Sequence, residues 1–106
     1  MTTANVEVRP HEEKKIDILV SGEIDLSNSA AVQDDIFAAI TNHLLAVRVD
    51  LGGLTYIDSA GLRILFALAD RLRLLQTTCE ISAPPGSPTR RVIELSGIDS
   101  LVHLHV

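Results

Sequence analysis

Tryptophan is absent from this 106-residue chain, and its aromatic residues number three: Phe37, Tyr56 and Phe66. Any core must therefore be aliphatic, and the ring platforms on which single-stranded nucleic acids stack are missing. The single cysteine, Cys79, excludes an internal disulfide and fits a reducing compartment. Basic side chains are in the minority, nine Lys and Arg against fourteen Asp and Glu, giving a net charge of −5 that repels a phosphate backbone. No apolar run nears the roughly 20 residues that span a bilayer. The opening Met1-Thr2-Thr3-Ala4 lacks the basic start and apolar stretch of a signal peptide. With 46% hydrophobic and 22% charged residues, the chain reads as one folded domain over 1–106. A cytoplasmic monomer without nucleic-acid or membrane partners is expected.

The charge is unevenly placed. Residues 1–58 hold four bases and ten acids, net −6, and residues 59–106 hold five bases and four acids, net +1. Either this is ordinary surface variation or one edge of the fold is acidic and steers a partner.

Strands and helices alternate along the chain. Asn5 to Arg9 and Lys15 to Val20 alternate in polarity and are joined by a short link, which predicts an antiparallel hairpin. Ser27-Asn28-Ser29 are helix N-cap types, and Val32, Ile36, Ile40 and Leu44 then recur on one helical face. Val47, Val49 and Leu51 predict a third strand, which Gly52-Gly53 is expected to break. Leu62, Leu65, Phe66, Ala69 and Leu72 mark a second helix, and Thr78 to Ser82 a fourth strand. Ser87-Pro88 opens a third helix that Gly97 closes, and Leu101 to Val106 alternates as a short edge strand. The fold class is α/β: a mixed sheet of four or five strands with helices mainly on one face.

Strand–helix–strand units form right-handed parallel crossovers, so the second, third and fourth strands end on the same side. Function in such sheets lies outside those ends. The loops there are expected to be Ser21 to Ser29, Gly52 to Ser59 and Ala83 to Arg91, which bring Glu23, Asp25 and Asp58 to one edge.

Asp58-Ser59-Ala60-Gly61 carries the chemistry. Asp58 or Ser59 suits a helix cap. A nucleophilic serine would need a base, and none of His11, His43, His103 and His105 is predicted at this edge; the flanks, Ile57 and Gly61, also lack the G-x-S-x-G elbow. A small exposed hydroxyl at a helix start fits a covalent switch instead.

The run Val47-Arg48-Val49-Asp50-Leu51-Gly52-Gly53-Leu54-Thr55-Tyr56-Ile57-Asp58-Ser59-Ala60-Gly61-Leu62 resembles the signature of bacterial anti-sigma factor antagonists in the STAS domain family. Gly22-Glu23-Ile24-Asp25-Leu26 resembles a second family motif, and Arg90-Arg91-Val92-Ile93-Glu94-Leu95-Ser96-Gly97-Ile98 resembles its third helix and exit. The resemblance implies a STAS-like fold and a partner switch without catalytic activity or cofactor. Unphosphorylated, such a protein binds an anti-sigma factor serine kinase and so frees the sigma factor. Phosphorylation of the residue matching Ser59 ends the interaction, and a metal-dependent PP2C-type phosphatase restores it. Partner contact then falls to Gly22, Glu23, Asp25, Asp58, Ser59, Ala60, Gly61 and Arg63. The alternatives are a non-switching STAS subunit of a transport or lipid-trafficking complex, a nucleotide-binding STAS module, and a serine hydrolase.

Five further features carry weaker signals. Ile64, Leu68 and Leu75 add a second apolar line to the second helix: a wide core face, or a patch for the partner rimmed by Arg63 and Arg71. Gly61 either admits a partner's backbone or packs against the sheet. Arg90 and Arg91, in the first turn of the third helix, either serve a phosphate or acidic partner or are solvated, and the solvated reading is favoured. His103 and His105 share a strand face but are too few for a metal site, and Cys79 reads as an inert core thiol.

Overall fold

The structure, a computed structural model, describes residues 2–106. Its first two strands, Ala4–Glu12 (β1) and Lys15–Ile24 (β2), form the expected antiparallel hairpin. Both outrun the sequence expectation. β2 continues past Val20 because Ser21 and Gly22 still find partners in Gly53 and Leu54 of the next strand. Gly22 does so at φ +92, and a Cβ there would lie 2.5 Å from the Thr3 carbonyl oxygen, so only glycine fits this crossing. The loop expected from Ser21 shrinks to the few residues after Ile24.

Helix Ser29–Ala38 (α1) follows, with Val32 and Ile36 buried. It stops before Ile40 and Leu44 because its last turn tightens: Ala39 N–H bonds the Ile36 carbonyl, and Ile40 N–H the Phe37 carbonyl. Ile40 and Leu44 still pack on the core, from irregular chain rather than from the helix.

Strand Ala46–Ile57 (β3) corrects a second expectation. Gly52-Gly53 does not break it; the pair sits where the β2–β3 register shifts, and the strand runs on to Ile57. Helix Ser59–Leu74 (α2) and strand Thr78–Ser82 (β4) come next. Helix Pro88–Ser96 (α3) begins as expected, with Ser87 Oγ accepting from Arg90 N–H at 3.1 Å, and ends at Gly97 with φ +79. A short 3-10 turn, Ile98–Ser100, leads to strand His103–His105 (β5).

The sheet order is β1-β2-β3-β4-β5, with β1 antiparallel and the others parallel. Each crossover steps one strand in the same direction, which leaves the helices on one side. Burial alternates accordingly: Ile18, Val20, Val47, Val49, Leu51, Cys79 and Ile81 are buried, while Asp17, Arg48, Asp50 and Glu80 on the opposite face meet solvent.

Ile64 and Leu68, from the second apolar line of α2, belong to the core, while Leu75 caps the helix and is half-buried. Ile64 and Leu68 are as buried as Leu65, Ala69 and Leu72, so no exposed patch of these residues exists for a partner. Arg71 lies over the Phe37 ring, 5.1 Å from its centroid. Burial pushes the Cys79 thiol up to about 12, which keeps it protonated and inert.

Candidate functional site

At the carboxyl ends of β2 and β3, Ile24 lies opposite Ile57 and Glu23 opposite Tyr56. The chain then leaves both strands side by side, toward Asp25 on one and toward Asp58 and Ser59 on the other. Two small features hold this edge together. Gly61 in the first turn of α2 is buried, and a Cβ on it would lie 2.4 Å from Ile57 Cγ1 and 3.2 Å from Ile24 Cγ2. The glycine therefore packs α2 onto the ends of both strands and does not face a partner's backbone. Ala60 is buried beside it. The surface offered to a partner comes instead from Glu23, Asp25, Asp58, Ser59 and Arg63. Arg63 stands four residues after Ser59, on the same helical face.

Asp58 caps α2. Its Oδ1 accepts from Ala60 N–H at 2.9 Å and from Gly61 N–H at 3.3 Å. Ser59 occupies the first helical position and is exposed, and its hydroxyl takes no part in the cap. Two backbone donors at this helix start, those of Ala60 and Gly61, are thus engaged by a carboxylate.

The loop after β2 is braced by residues whose part here was not legible in sequence. Asn28, read as a helix cap, makes no side-chain cap bond. Its Oδ1 accepts from Asp25 N–H at 3.0 Å, and its Nδ2 donates to the Glu23 carbonyl at 2.9 Å. Thr2 donates its hydroxyl to Asp25 Oδ2 at 2.6 Å, and Ser27 N–H donates to Asp25 Oδ1 at 2.8 Å. Thr55 donates to the Gly22 carbonyl at 3.0 Å. The hydroxyls of Ser27 and then Thr2 hold the Asp25 carboxyl below the usual carboxylate range, so it stays charged.

The acidic edge is real but narrow. Of the ten acids in residues 1–58, it receives Glu23, Asp25 and Asp58; Glu12 and Glu13 lie at the opposite edge, and Asp34 and Asp35 on exposed positions of α1. His11 pairs with Asp17 and Glu12, and His105 with Glu80, all away from Ser59. Among the described residues, no group of three or more His, Cys, Asp or Glu is placed to hold a metal ion.

Arg90 corrects another expectation. It is not solvated: its guanidinium donates to the carbonyls of Ala83 at 2.8 Å and His105 at 2.7 Å and meets Glu94, so it ties α3 to the ends of β4 and β5. Arg91 is exposed.

Comparison with known proteins places the chain among relatives of known name. The anti-sigma-F factor antagonist RsfB of Mycobacterium tuberculosis is 33% identical over 85 residues, 80% of this chain and 68% of that protein. An anti-sigma-B factor antagonist of Listeria monocytogenes is 26% identical over 102 residues, 94% of this chain and 87% of that one. The crystal structure of an anti-sigma factor antagonist from Mycobacterium paratuberculosis superposes with a TM-score of 0.85 at 29% identity, covering 97% of this chain and 86% of the other. The family described as STAS domain matches residues 5–106. Over residues 5–106 this chain belongs to the STAS domain family.

Proposed function

We propose that this protein is an anti-sigma factor antagonist whose binding is switched at Ser59. Unmodified, it docks its acidic edge on an anti-sigma factor serine kinase and so releases the sigma factor. Phosphorylation of Ser59 by that kinase ends the complex, and a PP2C-type, metal-dependent phosphatase reverses it. In this reading the chain is a single domain over 1–106, acts as a cytoplasmic monomer and has no catalysis of its own. The relatives named as anti-sigma factor antagonists support the assignment. The observation that carries the switch is the exposed Ser59 hydroxyl at the head of α2, beside a cap that does not use it.

A phosphate there adds about −1.5 to −2 charge. Asp58 already holds the N–H groups of Ala60 and Gly61, so the helix has little left to offer the new anion. Water offers plenty, because Ser59 is exposed. The fold is therefore unharmed while the protein is free. When a partner closes over the edge, that water must leave, and the phosphate faces Asp58, Glu23 and Asp25 instead. Stripping a charge of water without a partner costs several kcal/mol, and each 1.4 kcal/mol is tenfold in affinity.

Ser59→Asp should therefore weaken kinase binding by roughly 100-fold, with circular dichroism and melting near wild type. Ser59→Ala should bind constitutively and accept no phosphate. Titration of the kinase with each variant checks this; wild-type affinity in Ser59→Asp would refute the switch.

A further inference from the structure

At its far end β3 outruns its neighbour. It pairs with β4 as far as Asp50 opposite Ser82, then continues from Leu51 to Ile57 without it. α3 covers that overhang. Thr89, 3% exposed, donates its hydroxyl to the Leu54 carbonyl at 3.0 Å and pins the helix there. Between the two elements lies a cleft of about 200 Å3, lined by Thr55, Tyr56, Ile57, Pro88, Thr89 and Val92.

We propose that this cleft receives one apolar side chain, presented from a basic surface of the anti-sigma factor, and that this anchor sets partner choice while Ser59 sets partner release. The inference rests on the partner-switching reading and names a contact that reading does not contain.

Size, chemistry and position converge on it. Sites for drug-sized ligands measure about 300–1,000 Å3, so this cleft is too small for a nucleotide and suited to a single side chain. Its two threonine hydroxyls are spent, Thr55 on the Gly22 carbonyl and Thr89 on the Leu54 carbonyl. What remains is Ile57, Pro88, Val92 and the ring of Tyr56, which is 49% exposed. Such a site gains by burying hydrocarbon, with few polar groups to satisfy a polar visitor. Tyr56 and Ile57 run directly into Asp58 and Ser59, so a protein surface that covers the serine also reaches the cleft. Glu23 lies opposite Tyr56 in the strand register, and with Asp25 and Asp58 it gives the surround a negative charge. The complementary surface carries basic groups around an apolar centre, the arrangement in which a buried anchor supplies affinity and a charged rim supplies orientation.

The test uses the full chain and the purified anti-sigma factor of the source organism that binds it. Val92→Phe fills the cleft from the helix side, and Tyr56→Ala removes its outer wall. Arg91→Ala, exposed on the same helix, serves as control. Each cleft variant is expected to lose about tenfold or more in affinity while keeping its circular dichroism spectrum, and Arg91→Ala to bind like wild type. Should Val92→Phe fail to fold, Tyr56→Ala alone decides. Wild-type affinity in the cleft variants, alongside weakened binding in Ser59→Asp, would overturn the anchor and leave the switch standing. Undiminished binding in Ser59→Asp would remove the switch itself. A wild-type dimer in sedimentation that Val92→Phe dissolves would make the occupant a second copy of this chain and also overturn the proposal.

Discussion

One missing carbon at Gly61 sets the geometry of the site. On helix propensity alone, alanine there should stabilise α2 by about 1 kcal/mol. The added carbon would meet Ile57 Cγ1 at 2.4 Å, and both Ile57 and Ile24 are held in the core. Overpacking of that kind costs about 1–3 kcal/mol, so it outweighs propensity. Gly61→Ala is expected to lower the melting temperature and to shift Ser59 relative to Asp25; a more stable variant would show that α2 docks less tightly than described. Asp25 gives a second prediction at this scale. Its folded pKa lies below the ordinary carboxyl value of 3.8, through the hydroxyls of Ser27 and Thr2. The stability it contributes is therefore complete above pH 3.8 and fades as pH falls through the folded value. Water screens so exposed a group, which keeps the effect small. Melting curves against pH should show Asp25→Asn losing part of the wild-type acid dependence below pH 3.8, with parallel curves contradicting the bracing role. The bracing of Asp25 was invisible in sequence because Thr2 and Asp25 are 23 residues apart and meet only once β1 pairs with β2.

Among the elements, those with strong local chemistry were legible. Ser87, Pro88 and Gly97 bracket α3 as read, because a capping hydroxyl, a fixed φ and a left-handed residue act within one turn. β4 was read to the residue for a similar reason, as a buried alternation between turn and proline signals. The ends of β2 and β3 were not, because pairing across the sheet overrides the local meaning of Gly22, Gly52 and Gly53. Helical spacing alone extends α1 to Leu44, whereas Ile40 and Leu44 reach the core from irregular chain after Ala38. Arg90 failed as a solvated residue because its partners, Ala83 and His105, come from two other elements. Its side chain is only 13% exposed, and its bonds to two carbonyls hold α3 against the short β5. Arg90→Ala should cost about 1–3 kcal/mol in denaturant unfolding and speed hydrogen exchange in His103–His105 first. Unchanged exchange there would show that β5 holds without the latch.

At the scale of the whole molecule, three surfaces have different characters. The helix layer buries the aliphatic core. The bare sheet face is charged: one rung reads Arg9, Asp17, Arg48 and Glu80, alternating in sign, and ends on the polar ring of His103, which keeps that face hydrated. The third surface is the edge where β2 and β3 end, with carboxylates around an exposed serine and an apolar cleft beside them. The Ser59 motif with the helix it opens, and the edge acids Glu23 and Asp25, were readable from two short stretches of sequence. The cleft was not, because it exists only where β3 overhangs β4 and α3 fills in. The division of labour that follows is central: the fold is indifferent to a phosphate on Ser59, and the interface is not. The direct measurement is calorimetric titration of the anti-sigma factor kinase with the unmodified protein and with protein phosphorylated solely at Ser59, each also melted alone. Loss of about 100-fold or more in affinity at an unchanged melting temperature is the predicted result. Equal affinities, or a phosphorylated protein that has lost its fold, would contradict it.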